Sequence, residues 1–226
     1  MPTSNRYLNR GRISERRFRA FLRLFRLDLT ATQIAAVSRL NRNTVNRLIR
    51  LLRERMARIC ERQARLAGVI EADESYFGLQ RTRSKRGRGC GGKTIVFGLP
   101  KRGESVFTRI VPNCSRAALQ AVIRGRVEVA SVIHTDGWSG YDGLVDLGFE
   151  KHFRVRHGEN EFAREGRHSN GIESFWAFAK KRPAKFHGVR ERHFYLHLKE
   201  CEFRFNHRHQ DLYREWLVLL RKTPLS

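Results

Sequence analysis

The sequence predicts an α/β protein in which a helical N-terminal region precedes a mixed sheet flanked by helices. Three observations lead to this prediction. Residues 13–60 repeat apolar side chains with the period of amphipathic helices. Short β-branched runs bounded by glycine or proline begin after residue 68, as expected of strands. Helical patterns then alternate with these runs, which is typical of a sheet covered by helices.

The N-terminal region contains three predicted helices. Residues 13–27 carry an apolar stripe with arginines between, Thr30 caps a short second helix, and an arginine-rich third helix begins at Thr44. This order matches a helix-turn-helix, whose last helix enters the major groove of DNA. The alternative is a plain three-helix bundle with a solvated arginine face. The first interpretation predicts DNA contacts by Arg42, Asn43, Thr44, Asn46 and Arg47.

The elements after residue 68 follow the order of a ribonuclease H-like fold. Strands at 69–77, 93–99 and 105–111 form a predicted meander, and a helix capped by Ser115 ends at Gly125 in a left-handed turn. A strand at 131–136, a short helix, a strand at 152–155 and closing helices from about residue 170 complete the order. We therefore expect a helix-turn-helix domain at 1–60, a connector at 61–68 and a catalytic domain at 69–226.

Two aspartates lie on strands that are neighbours in this fold. Asp136 ends the run 131–136, where Gly137 interrupts the strand, and Asp73 lies in the first strand. Because the first and fourth strands lie side by side in the fold, we expect the two carboxylates to approach each other. Glu74 competes with Asp73, but neighbours on a strand point to opposite faces, so only one of them can reach the site.

A third acid, Glu173, lies in the helix predicted to begin near Asn170. Two interpretations stay open: a carboxylate that joins the aspartates, or a capping box in which Asn170 and Glu173 satisfy the helix start. Lys180 lies seven residues after Glu173 on the same helical face and could bind a phosphate there. Trp176 is interpreted as core, with stacking on an unpaired base as the alternative. Glu200 and Glu202 are interpreted as surface or helix charges.

Carboxylates grouped in this way predict a site for two divalent cations. Such a site serves in-line phosphoryl transfer, because one cation activates water or a 3′-hydroxyl and the other stabilises the leaving oxygen. Mg²⁺ suits an all-oxygen, partly hydrated site, and Mn²⁺ is possible. Asp73, Asp136 and Glu173 are thus predicted to be both catalytic and metal-binding.

Charge and cysteine content limit the kinds of binding partner and the cellular compartment that the sequence predicts. The chain has 46 Lys and Arg against 22 Asp and Glu, a formal net charge of +24, which predicts binding to nucleic acid through counterion release. An arginine- and glycine-rich segment at 81–92 either wraps a phosphate backbone or lacks fixed structure. The four cysteines form no CxxC pair, which argues against a zinc ribbon or a disulfide framework. No signal peptide or membrane span is evident, so we expect a cytoplasmic protein.

Five blocks of sequence, taken in order, resemble the DDE transposases of small bacterial insertion sequences, and the ISXO2-like transposase domain family in particular. The blocks are ADESYFG, GKTIVFGL, VIHTDGWSGYDGL, HSNGIESFWAFAKK and HLKECEFRFNHR. The resemblance covers about residues 69–208. It implies that Asp73, Asp136 and Glu173 bind metal in a ribonuclease H-like core. It also implies nicking at the ends of an element, followed by attack of the freed 3′-hydroxyl on target DNA.

Two departures from the family pattern bear on this interpretation. Many relatives carry a cysteine-rich N-terminal segment that this chain lacks, which leaves recognition of DNA ends to the helix-turn-helix. Some branches vary the third acid and emphasise a nearby asparagine and lysine, and Asn170 and Lys180 are both present here.

The expected function is a transposase that binds double-stranded terminal repeats and target DNA as a homo-oligomer. The alternatives are a structure-specific nuclease or resolvase of the same fold and a catalytically silent DNA-binding regulator. Carboxylates that repel one another without metal argue against the regulator. Strand joining separates the first two, because a nuclease cuts but does not join.

Overall fold

The structure is a computed structural model and describes residues 5–9, 11–78, 93–101, 105–136, 151–155, 170–186 and 189–226. The described residues belong to two compact units, one made of 1–62 with 183–226 and the other of 63–182. This differs from the expected division at 1–60 and 69–226, because the helices after residue 183 lie with the N-terminal helices. The sheet unit is therefore inserted in the sequence of the helical unit.

The secondary-structure elements are numbered in chain order. They are α1 (Glu15–Arg26), α2 (Ala31–Ser38), α3 (Arg42–Arg62), β1 (Val69–Phe77), β2 (Thr94–Pro100), β3 (Val106–Val111), α4 (Arg116–Arg126), β4 (Val132–Asp136), β5 (Lys151–Val155), α5 (Asn170–Ala184), α6 (Glu191–Asn206) and α7 (Leu212–Lys222).

The first helices of the helical unit begin at polar caps. The Ser14 side chain accepts a hydrogen bond from the Arg17 amide at the start of α1, and Thr30 with Gln33 forms a capping box at the start of α2. Arg39 adopts a left-handed conformation with φ of 54° and ends α2. The Asn41 side chain then accepts from the Asn43 amide at 2.8 Å. The predicted helix, tight turn and helix are therefore present at α2 and α3.

One hydrophobic core joins α1, α2 and α3 to the two C-terminal helices. Phe18 of α1 and Leu52 of α3 are buried in this core together with Phe203 of α6 and Trp216 of α7. The rings of Phe203 and Trp216 lie 5.4 Å apart. Buried aromatic rings dominate the energetics of such cores because each removes a large apolar area from water. The C-terminal helices are thus an integral part of the helical unit.

Ion pairs in the interior of the helical unit tie α6 to α3 and α1. Glu200 is 0 % exposed, and its carboxylate pairs with Arg53 of α3 at 2.7 Å and with Arg204 at 2.9 Å. Arg204 also donates to the Phe25 carbonyl in the last turn of α1 at 2.8 Å, and this carbonyl accepts from the Asp28 amide as well. Charges at this depth are costly unless they are paired. The network therefore requires α1, α3 and α6 to fold together.

A second group of buried charged side chains lies where α6 packs further along α3. Lys199 is 0 % exposed and pairs with Glu202 at 2.9 Å and with Glu61 of α3 at 3.0 Å. Glu202 is also 0 % exposed. Glu200 and Glu202 are charges of helix α6, which was one of the two interpretations. The other interpretation, surface charges, was wrong, because α6 is covered on the side that carries them and each acid has a cationic partner.

The sheet unit contains a five-stranded sheet in the order β3-β2-β1-β4-β5. β1, β2 and β3 form an antiparallel meander, and β4 runs parallel to both β1 and β5. Ile70 of β1 and Ile133 of β4 share a core with Leu119 and Ile123 of α4. On the other face of the sheet, the Ile172 side chain of α5 lies against Gly98 of β2. This strand order with helices on both faces is the ribonuclease H-like arrangement, so the predicted fold class is confirmed.

The end of α4 differs from the prediction. The helix continues through Gly125 to Arg126, and the following residue, Val127, is extended with φ of −112°. Val127 is 1 % exposed, and the segment pairs with Leu66 through a hydrogen bond from the Leu66 amide to the Arg126 carbonyl at 2.7 Å. Burial of Val127 in the sheet core thus replaces the expected left-handed turn at Gly125.

Three of the four cysteines are described, and all three are free thiols. Cys60 and Cys201 are buried in the helical unit, and burial raises the pKa of the Cys60 thiol well above its ordinary value. Cys90 lies outside the described residues. Among the described helices, none has the length and apolar character needed to cross a membrane.

Candidate active site at the ends of β1 and β4

The two predicted aspartates follow the last paired residues of adjacent parallel strands. The register of β1 and β4 pairs Val69 with Val132 and continues to Ala72 with Thr135. Asp73 and Asp136 are the next residues of the two strands. They lie at the carboxyl end of the parallel pair, which is where open α/β sheets bind ligands. The strand register therefore brings the backbones of Asp73 and Asp136 to adjacent positions. The Asp136 side chain lies outside the described residues.

The two faces of β1 separate Asp73 from Glu74. Ala72 faces the core that contains α4, and Glu74 lies two residues on, so it is on that same face. Glu74 is also paired with Phe97, a residue of that core. Asp73 instead points to the face covered by α5. The arrangement supports the choice of Asp73 as the candidate.

Trp176 of α5 makes the best-defined contact at this site. Its indole Nε1 donates a hydrogen bond of 2.7 Å to Asp73 Oδ2. The side chain is 6 % exposed and packs against Phe175 and Phe77, with ring centroids 5.0 and 6.0 Å away. The interpretation of Trp176 as core is confirmed, and a ring this deeply buried is not available to stack on a base. Its bond to the aspartate was not predicted from the sequence.

Gly98 of β2 provides the space in which the indole lies. Gly98 pairs with Asp73 across β1 and β2. A Cβ atom at this position would lie 2.7 Å from Trp176 Cζ2 and 3.1 Å from Ile172 Cδ1. The only sequence signal for this contact is a glycine inside a β-branched strand, which often marks close approach by another group.

Glu173 and Lys180 lie on the same helix as Trp176. α5 begins at Asn170, and Glu173 and Lys180 are both exposed. Glu173 precedes Trp176 by three residues and Lys180 follows it by four, so the three are neighbours along one side of the helix. The structure therefore brings Glu173 within one helical turn of the residue that bonds Asp73. The Asn170 side chain, the other half of the predicted capping box, lies outside the described residues.

The described donors are compatible with a hard divalent cation. Among the described side chains, no group of three or more His, Cys, Asp or Glu is close enough to hold a metal ion, and Asp136 is not among those side chains. Asp73 and Glu173 offer only carboxylate oxygens, the ligands that Mg²⁺ prefers. A carboxylate has about four lone-pair sites, so the hydrogen bond from Trp176 leaves Asp73 able to bind a cation. The residues thus fit the expected metal.

The candidate DNA contacts lie at the start of α3. Arg42, Asn43, Asn46 and Arg47 are exposed, Thr44 is half-buried, and Val45 and Leu48 on the other side of the helix are in the core. α3 thus presents polar residues to solvent in its first two turns, directly after the tight turn that precedes it. The arginine-rich segment at 81–92 lies outside the described residues.

Comparisons with known proteins agree with the resemblance read from the sequence. Residues 65–206 match the ISXO2-like transposase domain. An uncharacterized transposase-like protein of Haemophilus influenzae is 43% identical over 101 residues, which are 45% of this chain and 80% of that protein.

Two solved structures are similar at low identity. The catalytic core domain of BIV integrase has a TM-score of 0.40 and 14% identity, and the match covers 70% of this chain and 98% of that one. The Mos1 strand transfer complex has a TM-score of 0.28 and 14% identity over 94% of this chain and 80% of that one. The family assignment rests on the sequence match, which spans more than half of the chain. The chain belongs to the ISXO2-like transposase domain family.

Proposed function

We propose that this chain is a DDE transposase that cuts DNA at the ends of an insertion sequence and joins them to target DNA. The observation that carries the proposal is the position of Asp73 and Asp136, one residue beyond the last pair of the parallel strands β1 and β4. Glu173 lies on α5, the helix whose Trp176 donates a hydrogen bond to Asp73. The three carboxylates are proposed as the ligands of Mg²⁺, with Mn²⁺ as a substitute.

The residues of the site have separate tasks in this proposal. Asp73 and Asp136 hold the cations from the sheet, and Glu173 holds them from α5. When bound, the cations supply an activated water or 3′-hydroxyl and neutralise charge on the leaving oxygen. Lys180 is exposed on α5 two turns after Glu173, where its ammonium group would bind a backbone phosphate and orient the strand.

DNA binding is assigned to the start of α3. Its exposed polar residues fit the role of a recognition helix, in which early side chains contact base edges and arginines contact phosphates. The formal charge of +24 supplies the non-specific part of the affinity through counterion release. The proposed partners are double-stranded terminal repeats and target DNA. A homo-oligomer that brings two ends together, acting in the cytoplasm, completes the proposal.

The test is a strand-transfer assay. Purified protein is incubated with labelled DNA that carries the terminal repeat and with a target plasmid, with and without Mg²⁺. The wild type is expected to give joined products only with metal, and Glu173→Gln is expected to lose both cutting and joining because a ligand is removed. Glu128→Gln is the matched control, since Glu128 is exposed in the sheet unit just after α4.

Each outcome of this assay has a defined meaning. Cutting without joining would favour a nuclease or resolvase. Equal joining by wild type and Glu173→Gln would make Glu173 a helix cap and refute the third ligand. Absence of cutting by the wild type, with DNA binding retained, would refute the transposase and leave a DNA-binding regulator.

A further inference from the structure

The indole ring of Trp176 is buried and closely packed beside Asp73. Its N–H group reaches Asp73 Oδ2 at 2.7 Å, its ring lies over Gly98 on the neighbouring strand, and it is 6 % exposed. We propose that Trp176 is a positioning residue that fixes the Asp73 carboxylate for metal binding, and that Gly98 exists to admit the indole. The inference rests on the proposed function, since it requires Asp73 to be a metal ligand.

The hydrogen bond itself has the character of an orienting contact. Indole Nε1 is a donor only, so a buried tryptophan needs an acceptor, and an ionised carboxylate is a strong one. Hydrogen bonds to an ionised carboxylate are shorter and stronger than bonds between two neutral groups, and the observed 2.7 Å is at the short end of the N–H···O range. Because water is largely excluded from the indole, little competes for the bond. The contact thus fixes which oxygen of Asp73 faces α5.

The ring that donates this bond is itself fixed by packing. Phe77 contacts it edge-on and Phe175 lies beside it, while Gly98 and Ile172 leave no room between β2 and α5. Because packing holds the indole in place, its hydrogen bond also restricts the orientation of the Asp73 carboxylate. Ligands that are oriented by such outer contacts bind metal about 10- to 100-fold more tightly than ligands without them.

The bond also links two elements that supply proposed ligands. Asp73 belongs to β1, and Glu173 lies one turn before Trp176 on α5. A shift of the helix along the sheet would move Glu173 and break the indole contact together. Trp176 therefore sets the position of the third carboxylate relative to the first, in addition to orienting Asp73.

The decisive variant is Trp176→Phe, which keeps an aromatic ring but removes the N–H donor. Metal binding is measured directly, by titrating the full-length protein with Mn²⁺ and following free Mn²⁺ by electron paramagnetic resonance. Wild type and Asp73→Asn are titrated first. Trp176→Phe is expected to weaken Mn²⁺ binding about tenfold or more, while thermal unfolding and binding to non-specific DNA are retained.

Leu119→Ala separates positioning from a general loss of packing. Leu119 of α4 is 0 % exposed in the core on the other face of the sheet, so this change loosens the sheet unit but keeps the packing around the indole. It is expected to lower the melting temperature and leave Mn²⁺ affinity near the wild-type value. If Leu119→Ala weakened metal binding as much as Trp176→Phe, the effect would be a general loss of packing and the proposal would be overturned.

Gly98→Ala tests the same contact from the other side. The added Cβ atom would lie 2.7 Å from the ring, so the indole must shift although its donor is still present. The same loss of Mn²⁺ affinity is expected, and this variant decides the question if Trp176→Phe does not fold. Unchanged affinity in both variants, with a clear loss in Asp73→Asn, would overturn the role of Trp176 alone. Unchanged affinity in Asp73→Asn would refute Asp73 as a ligand, and the proposed function with it.

Discussion

Removal of the Glu200 carboxylate should destabilise the helical unit strongly. Glu200→Ala leaves the guanidinium groups of Arg53 and Arg204 without the acid that now accepts from both, at 2.7 and 2.9 Å. The Arg53 and Arg204 side chains are 16% and 6% exposed, so water can replace the lost partner only in part. Breaking a buried ion pair by removing one member typically costs about 3–5 kcal/mol.

The remaining partners of the two arginines place the expected cost at the lower end of that range. Arg204 keeps its bond to the Phe25 carbonyl at 2.8 Å and lies 3.5 Å from the Asp28 carboxylate. Arg53 keeps a contact with His197 at 2.9 Å. We therefore expect a loss of about 3 kcal/mol in the free energy of unfolding, a large share of the stability of an ordinary domain.

Urea unfolding followed by circular dichroism measures the change, and hydrogen exchange by mass spectrometry locates it. Exchange should rise in α3 and α6 and stay unchanged in the sheet unit. The matched control is Glu54→Ala, which removes an exposed pair with Arg50 worth no more than about 0.5 kcal/mol. If Glu200→Ala cost no more than this control, the buried network would not hold the helical unit together.

Two further outcomes test the helical unit. Phe203→Ala removes a ring that is 0 % exposed and packed on Trp216. The free energy of unfolding should therefore fall by about 3–5 kcal/mol. An unchanged urea midpoint would show that α6 does not complete the core. Arg47→Ala should weaken DNA binding and reduce the slope of log affinity against log salt by about one. Fluorescence anisotropy over a range of salt concentrations measures that slope, with exposed Arg58→Ala at the far end of α3 as control; equal effects of the two would argue against a recognition helix.

The sheet and its first two candidate ligands could be predicted because they depend on local patterns. β-branched runs identify β1 and β4, and alternation along a strand separates Asp73 from Glu74. The order of the elements then fixes which strands are neighbours. The predicted meander and the predicted adjacency of the first and fourth strands are both present in the observed sheet. The indole bond to Asp73 was beyond this reasoning, because it depends on how far α5 is displaced along the sheet.

The composition of the helical unit also escaped prediction, for a different physical reason. The charged residues Lys199, Glu200, Glu202 and Arg204 predict a helix that is exposed to solvent, because charged residues are almost never buried without partners. Two of the ion pairs lie within α6, Lys199 with Glu202 and Glu200 with Arg204. The partners on α3, Arg53 and Glu61, lie more than a hundred residues earlier in the chain, and no sequence period connects them to α6. Burial of these charges is visible only once α6 is placed on α3.

The discontinuous sequence of the helical unit has a consequence for synthesis on the ribosome. Arg53 and Glu200 are separated by 147 residues, and elongation at about 5–20 residues per second puts on the order of ten seconds between them. During that interval α1, α2 and α3 lack Phe203, Trp216 and the acids of α6. Translation that stops within the sheet unit leaves N-terminal helices with an unfinished core, so such fragments would compete poorly for the DNA that we propose the whole protein binds.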